Sequence, residues 1–187
     1  MSGWRKKRTI MRRYDLTADM YDSRYAEEQT AKYTVALESL GTEKLGLVLD
    51  AGCGTGLLFP CVAKKADAIV GLDISKKTLL KARERAKGFE NVHLVNADSD
   101  TMPFDKEIFN HIFAMTLVQN APNPAATLNE IRRVSEDDAL FVITGLKKVF
   151  SLRSFRNMLK NARLDIIAVK HEDNLKCYVA ICARIHH

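Results

Sequence analysis

A chain of 187 residues with 47% hydrophobic content is long enough to bury one sizeable core, and it carries a net charge of +6. No apolar run approaches the roughly 18 residues of a membrane span, and no apolar stretch follows the basic N-terminus MSGWRKKRTIMRRY. A transmembrane segment and a secretory signal are thereby excluded, and a cytoplasmic protein without a membrane partner is expected. The four cysteines, Cys53, Cys61, Cys177 and Cys182, form no CxxC pair, so neither a disulfide framework nor a zinc site is indicated and no metal is expected.

In chain order, Arg5, Lys6, Lys7, Arg8, Arg12 and Arg13 first crowd into thirteen residues. They suit either attraction to a polyanion or a solvated tail. RRYDLTADMYDSRYAEEQTAKY (12–33) then repeats Tyr14-Asp15 and Tyr21-Asp22 seven residues apart, two turns along one face of a helix. From LGLVLD (45–50) onward, strand and helix patterns alternate: a helical segment LLFPCVAKKA (57–66), a strand DAIVGLDIS (67–75), and a helix from Ser75 as N-cap to Gly88 as stop. NVHLVNAD (91–98) and IFNHIFAMT (108–116) read as strands, residues 123–136 as a helix, ALFVITG (139–145) as a strand, and residues 151–162 as a helix. The runs 164–172 and 175–185 are separated only by Asp173 and Asn174, too short a link for a parallel crossover, so they form an antiparallel hairpin. Strands that are aliphatic almost throughout are buried on both faces. The expected fold is α/β, a Rossmann-like doubly wound sheet of about seven strands, mostly parallel, with helices on both faces. One domain is expected, residues 1–44 capping a core of 45–187.

Such sheets bind ligands at the carboxyl ends of their strands. Gly52, Gly54 and Gly56 follow the first strand there as GxGxG, but the dinucleotide fingerprint wants Gly or Ala where this chain has Leu57. Asp50, just before the turn, would repel a pyrophosphate and instead suits an ammonium group. Asp73, at the end of the second strand, is placed to accept from both ribose hydroxyls. A ribose beside an amino-acid group without a diphosphate fits S-adenosylmethionine.

VLDAGCGTG, GLDIS, NADSDTMPF and NAPNPAATLNEIRRV together resemble the successive motifs of the class I S-adenosylmethionine-dependent methyltransferases, in particular those with a methyltransferase-11-like domain. The likeness spans residues 45–185. It implies a methyl-transferring enzyme in which Gly52, Gly54 and Gly56 let the backbone approach the methionine moiety. It implies also that Asp73 and Ile74 hold the ribose, Asp98 faces the adenine amine, and Ala97, Ser99 and Met115 line the pocket. Tyr14, Tyr21 and Tyr25 would belong to an N-terminal lid. Asn110 departs from the family's frequent Asp in the fourth strand.

A sulfonium is an activated methyl donor, so alignment and water exclusion dominate and a general base is optional. The Asn-Pro-Pro-aromatic motif of many amino methyltransferases is absent; Gln119 and Asn120 are the candidate catalytic amides. His93 and His111 lie inside strands and are not nominated, and Cys53 and Cys61 read as packing thiols. The short link from Gly145 to Ser151 leaves no room for an extra lid. Lys147 and Lys148 with Arg12 and Arg13 would then form a positive rim, with Tyr14, around the substrate. The first reading is methylation of a base nitrogen in tRNA or rRNA. The alternatives are a small-molecule methyltransferase with residues 1–40 as its lid, and an inactive cofactor-binding subunit that activates a partner.

Overall fold

The computed structural model describes residues 3–185, and the side chains at positions 18, 19, 21 and 24 lie outside that description, so the expectation for Tyr21 falls outside the described residues. Its elements are α1 (Gly3–Leu40), β1 (Gly46–Ala51), α2 (Phe59–Val62), β2 (Ala66–Asp73), α3 (Lys76–Ala86), β3 (Val92–Asn96), β4 (Phe109–Ala114), α4 (Pro124–Val134), β5 (Ser135–Leu146), α5 (Leu152–Asn161), β6 (Leu164–Lys170) and β7 (Cys177–Arg184). One sheet takes the order β3-β2-β1-β4-β5-β7-β6. β1 pairs in parallel with β2 and β4, while β7 runs antiparallel to both β5 and β6. This is the expected doubly wound sheet with its C-terminal hairpin.

Alternate residues of each central strand feed two apolar layers. Val48, Ile69, Phe113 and Val142 pack on one face with Tyr33 and Ala36 of α1, Phe59 and Val62 of α2, and Leu79 of α3. Leu49, Ile112, Phe141 and Ile143 pack on the other with Leu128 and Ile131 of α4 and Phe155 and Leu159 of α5. Because both faces are covered, the strands must be aliphatic at consecutive positions. The chain runs outward from β1 through β2 to β3 and returns to β4 on the far side of β1, so a crevice opens where β1 and β4 end.

Three boundaries differ from the sequence reading. The segment 57–66 holds only one short helix, because Cys61 N bonds to Leu58 O (2.9 Å) and Lys65 N to Val62 O (2.9 Å), tight i→i−3 turns around Pro60. β5 begins at Ser135, directly after α4, although Ser135 and Glu136 read as the end of the helix and Asp137-Asp138 as the link to the strand; Ser135 pairs with Phe109 before the register shifts. The basic cluster and the Tyr-Asp repeats belong to a single helix of 38 residues, about 57 Å long at 1.5 Å per residue.

Candidate active site

The turn after β1 is built on left-handed backbone. Gly52, Gly54 and Gly56 have φ of 76°, 55° and 76°, a region closed to most side chains. A Cβ on Gly56 would stand 2.3 Å from Phe59 Cε2, so that glycine lets the turn pack on α2; one on Gly54 would meet nothing within 4 Å, because Gly54 faces the cleft. Leu72 O accepts from Gly52 N (2.7 Å) and Cys53 N (3.0 Å). Asp73 completes the cup: Oδ2 accepts from Gly54 N (2.9 Å), and Oδ1 from Ser75 N (2.8 Å) and Thr78 Oγ1 (3.3 Å). Oδ2 retains a second lone pair for a ligand hydroxyl, whereas Oδ1 already accepts from two donors.

The cleft encloses about 810 Å³, counting its open mouth, and Gly52, Gly54, Asp73, Ile74, Ala97, Asp98, Ser99 and Met115 all line it. Thr55, Leu72, Thr78, Asp100, Thr116, Leu117, Asn120, Ala121 and Pro122 add to its walls. Asp50 lies behind the glycine turn on a second, smaller cavity shared with Gln29, Tyr33, Cys53 and Met115. It is 3% exposed, and burial, with the nearby Asp73 carboxylate, pushes its pKa to about 8. A buried acid raised in this way is a receptor for a cation, whose charge would restore the ionised form. Burial also raises the pKa of Asp73, against the hydrogen bonds from Ser75 and Gly54.

The N-terminal half of α1 roofs the cleft. Lys7, Ile10 and Tyr14 line its upper wall. Lys7 Nζ bridges Asp98 (2.6 Å) and Asp100 (2.5 Å); burial pulls its pKa down, but the two carboxylates outweigh it and the net shift is upward. Asp15 accepts from Ser75 Oγ (2.5 Å), at the N-cap of α3. Asp22 accepts from Thr55 Oγ1 (2.6 Å) in the glycine turn and from Arg85 Nη2 (2.7 Å), while Arg85 also donates to Thr55 O. Asp15 and Asp22 thus staple the helix to the loops after β2 and β1. Tyr14 faces the cleft, with burial raising its pKa. Tyr25 is 41% exposed and does not line the cleft.

The loop after β4 closes the remaining side. Thr116 has φ 61°, a strained conformation for a β-branched residue. Three hydrogen bonds tie this residue down: its N–H to Thr144 Oγ1 (2.7 Å), its carbonyl from Asn120 Nδ2 (2.8 Å), and its Oγ1 from Gln29 Nε2 (3.3 Å). Asn120 Nδ2 also donates to Tyr14 Oη (2.8 Å), and Asn120 Oδ1 accepts from Arg13 Nη2 (2.9 Å). Gln119 does not line the cleft, and its Oε1 is buried with no hydrogen-bond donor. The proposed rim is dispersed. Lys147 Nζ donates to the carbonyls of His171 (3.2 Å) and Glu172 (2.7 Å) in the β6–β7 loop. Lys148 and Arg12 are exposed and do not line the cleft. Asn110 sits at the other end of β4, where its Oδ1 accepts from Leu47 N (2.7 Å) and its Nδ2 donates to Glu136 (2.7 Å), pinning β1. His111 Nδ1 lies 2.7 Å from Leu45 O, also at that end.

Sequence reasoning gave no site role to Ile10, Gln29, Thr78 or Thr116, and named Lys7 only within the basic cluster and Asp15 and Asp22 only within the Tyr-Asp repeats. Only the seven-residue recurrence of Asp15 and Asp22 carried a signal for them, since the other residues meet the site solely through the fold.

Residues 43–176 match the Methyltransferase domain family. "Putative methyltransferase YrhH" of Bacillus subtilis (strain 168) is 24% identical over 170 residues, covering 87% of this chain and 92% of the relative. Phosphatidylethanolamine N-methyltransferase of Cereibacter sphaeroides is 36% identical over 101 residues, and the chain spans only 49% of that relative's length while 52% of the chain is covered. The crystal structure of a SAM-dependent methyltransferase from Aquifex aeolicus superposes with a TM-score of 0.76 at 19% identity, covering 90% of this chain and 97% of that one. The glycine cup, the paired carboxylates and a family match over most of the chain converge: this chain belongs to the Methyltransferase domain family and is a class I S-adenosylmethionine-dependent methyltransferase.

Proposed function

We propose that the chain methylates a small, largely apolar acceptor held beneath α1. The observation that carries this reading is the roof: Lys7, Asp15 and Asp22 tie the helix to the loops after β1, β2 and β3, and Ile10 and Tyr14 lie over the cleft. A site closed by its own helix suits an acceptor of limited size. The apolar wall formed by Ile10, Leu117, Ala121 and Pro122 suits hydrocarbon better than a nucleotide.

The residues present fit the cofactor. Gly54 leaves open space at the cleft, Asp73 Oδ2 offers a free lone pair, and the raised acid Asp50 awaits an ammonium. In this reading Asp50 holds the amino-acid end, with Gly52, Gly54 and Gly56 allowing close approach. Asp73 and Ile74 bind the ribose, and Asp98, with Ala97, Ser99 and Met115, takes the adenine. The cofactor supplies a methyl group already activated on sulfonium sulfur. What the protein contributes is alignment and exclusion of water: Tyr14 and Asn120, joined at 2.8 Å, stand over the wall where an acceptor would lie. Tyr14, its pKa raised, acts as a hydrogen-bond donor and not as a base. No general base is assigned, and an amine acceptor can release its proton to solvent.

A second reading, methylation of tRNA or rRNA, is favoured by the exposed Arg5, Lys6, Arg8 and Arg12. Incubation with methyl-labelled cofactor and separated lipid, water-soluble metabolite, RNA and protein fractions tests both. Label in the lipid or metabolite fraction is expected. Label confined to RNA would replace the first reading with the second, and cofactor binding without label anywhere would point to an inactive subunit that activates a partner.

A further inference from the structure

We propose that the outward face of the N-terminal half of α1 docks on an anionic lipid surface. At 3.6 residues per turn, Arg5, Arg8, Arg12, Leu16 and Met20 fall within about a third of the helix circumference, and Trp4 stands one turn before Arg8. This is the face turned away from Lys7 and Tyr14. Its apolar members are strongly exposed: Leu16 at 78%, Trp4 at 55% and Met20 at 47%. Its cations are also exposed, and the chain has no acid before Asp15, whose carboxylate turns inward to Ser75; by position Asp19 is the one acid among residues 3–20 that falls on this face, against three arginines.

Charge complementarity names the occupant. Lys7 and Arg13 are spent on Asp98, Asp100 and Asn120, yet Arg5, Lys6, Arg8 and Arg12 are exposed and, among the described residues, form no ion pair. An RNA backbone would satisfy those cations but would leave Leu16 and Met20 without a role. A bilayer surface satisfies both, since a helix lying in the headgroup region buries Trp and Leu while Arg and Lys meet lipid phosphates. The expectation of no membrane partner rested on spanning segments; among the described residues no helix is long and apolar enough to cross a membrane, and lying on a membrane is a different mode. Docking would set the roof of the cleft at the lipid boundary, where an apolar acceptor is drawn from; for that acceptor alone the inference rests on the proposed function.

The test uses the full chain and vesicles that carry no methyl acceptor, so its outcome is independent of whether the acceptor reading holds. Trp4 is the one tryptophan in the sequence and reports its own surroundings. Vesicles of phosphatidylcholine with phosphatidylglycerol should shift its emission to the blue and sediment the chain, whereas phosphatidylcholine alone should do neither. Arg5→Ala and Arg12→Ala should each weaken partitioning about fivefold. Leu16→Asp should weaken it about tenfold or more while cofactor affinity by calorimetry, which certifies the fold, stays unchanged. Unshifted Trp4 emission with anionic vesicles overturns the proposal. So does binding to a single-stranded RNA that Leu16→Asp leaves intact while vesicles remain unbound.

Discussion

The floor and the roof of the cleft are held by different physics. The floor is the sheet edge: a left-handed glycine turn whose N–H groups point at Leu72 O and Asp73, over residues that are almost wholly buried. The roof is one helix held by side-chain contacts to Asp98, Asp100, Ser75, Thr55 and Asn120, several of them partly exposed. Asp22, for instance, is 39% exposed in its pair with Arg85. Backbone hydrogen bonds inside a packed sheet open only with the domain, whereas partly exposed ion pairs contribute about 0–1 kcal/mol each. The floor is therefore fixed and the roof can lift, which is what an enzyme needs to exchange a large cofactor while excluding water during transfer.

Substitutions in the floor should act on cofactor binding, and those in the roof on opening. The largest effect is expected for Asp73→Ala, which removes the carboxylate joining Gly54, Ser75 and Thr78. Cofactor affinity by calorimetry should fall about a hundredfold or more, since hydrogen bonds to a charged group are worth about 1.5–3 kcal/mol each. Unchanged affinity would remove Asp73 from the ribose assignment.

Next comes Asp50, through pH. Its pKa rises from an ordinary 3.8 to about 8 in the folded, ligand-free chain. The folded state then binds the proton more tightly than the unfolded state. The associated stability is complete below about pH 4 and is lost as pH climbs toward 8. Binding of a cationic amino group should reverse this by ionising Asp50. Calorimetry at pH 7 in buffers of different ionisation enthalpy should show release of up to about one proton per cofactor, and affinity should increase from pH 6 to 8. Asp50→Asn should abolish the proton release and raise the ligand-free melting temperature at pH 8 relative to the parent chain. Proton release that persists in Asp50→Asn would place the titrating group elsewhere.

In the roof the effects should be smaller. Asp22→Ala unhooks α1 from Thr55 and Arg85, a loss of about 1 kcal/mol, visible as faster amide exchange in residues 5–22 while the strands keep their protection. Equal acceleration in β1 and β4 would mean that the helix and the sheet open together. Smallest of all is Lys7→Ala, which removes the bridge to Asp98 and Asp100. It should speed cofactor release about threefold, as measured by stopped-flow, and leave protection of the sheet untouched.

The floor was legible in the sequence because its causes are local. A strand buried on both faces must be a continuous aliphatic run, and a turn that takes φ of 55° to 76° at three alternate positions strongly favours glycine there. A carboxylate lies near the end of each of the first two strands, Asp50 in β1 and Asp73 in β2. The C-terminal hairpin was legible from loop length alone. The positive rim was not, because proximity in sequence to a strand end does not fix direction: Lys147 leaves β5 beside the cleft yet turns to the carbonyls of His171 and Glu172. Asn120 was legible as a polar group after β4, but its engagement with Arg13 and Tyr14 was not.

By itself, then, the sequence determined the strand order's raw material, the glycine turn and the carboxylates at the strand ends, since each follows from local backbone preference and burial. Only the tertiary structure decided which face of α1 looks inward. That choice depends on pairs such as Asp15 with Ser75, 60 residues apart, and Arg13 with Asn120, 107 residues apart. No local pattern encodes such pairs, because the energy that selects them exists only once the sheet has brought their loops to one edge.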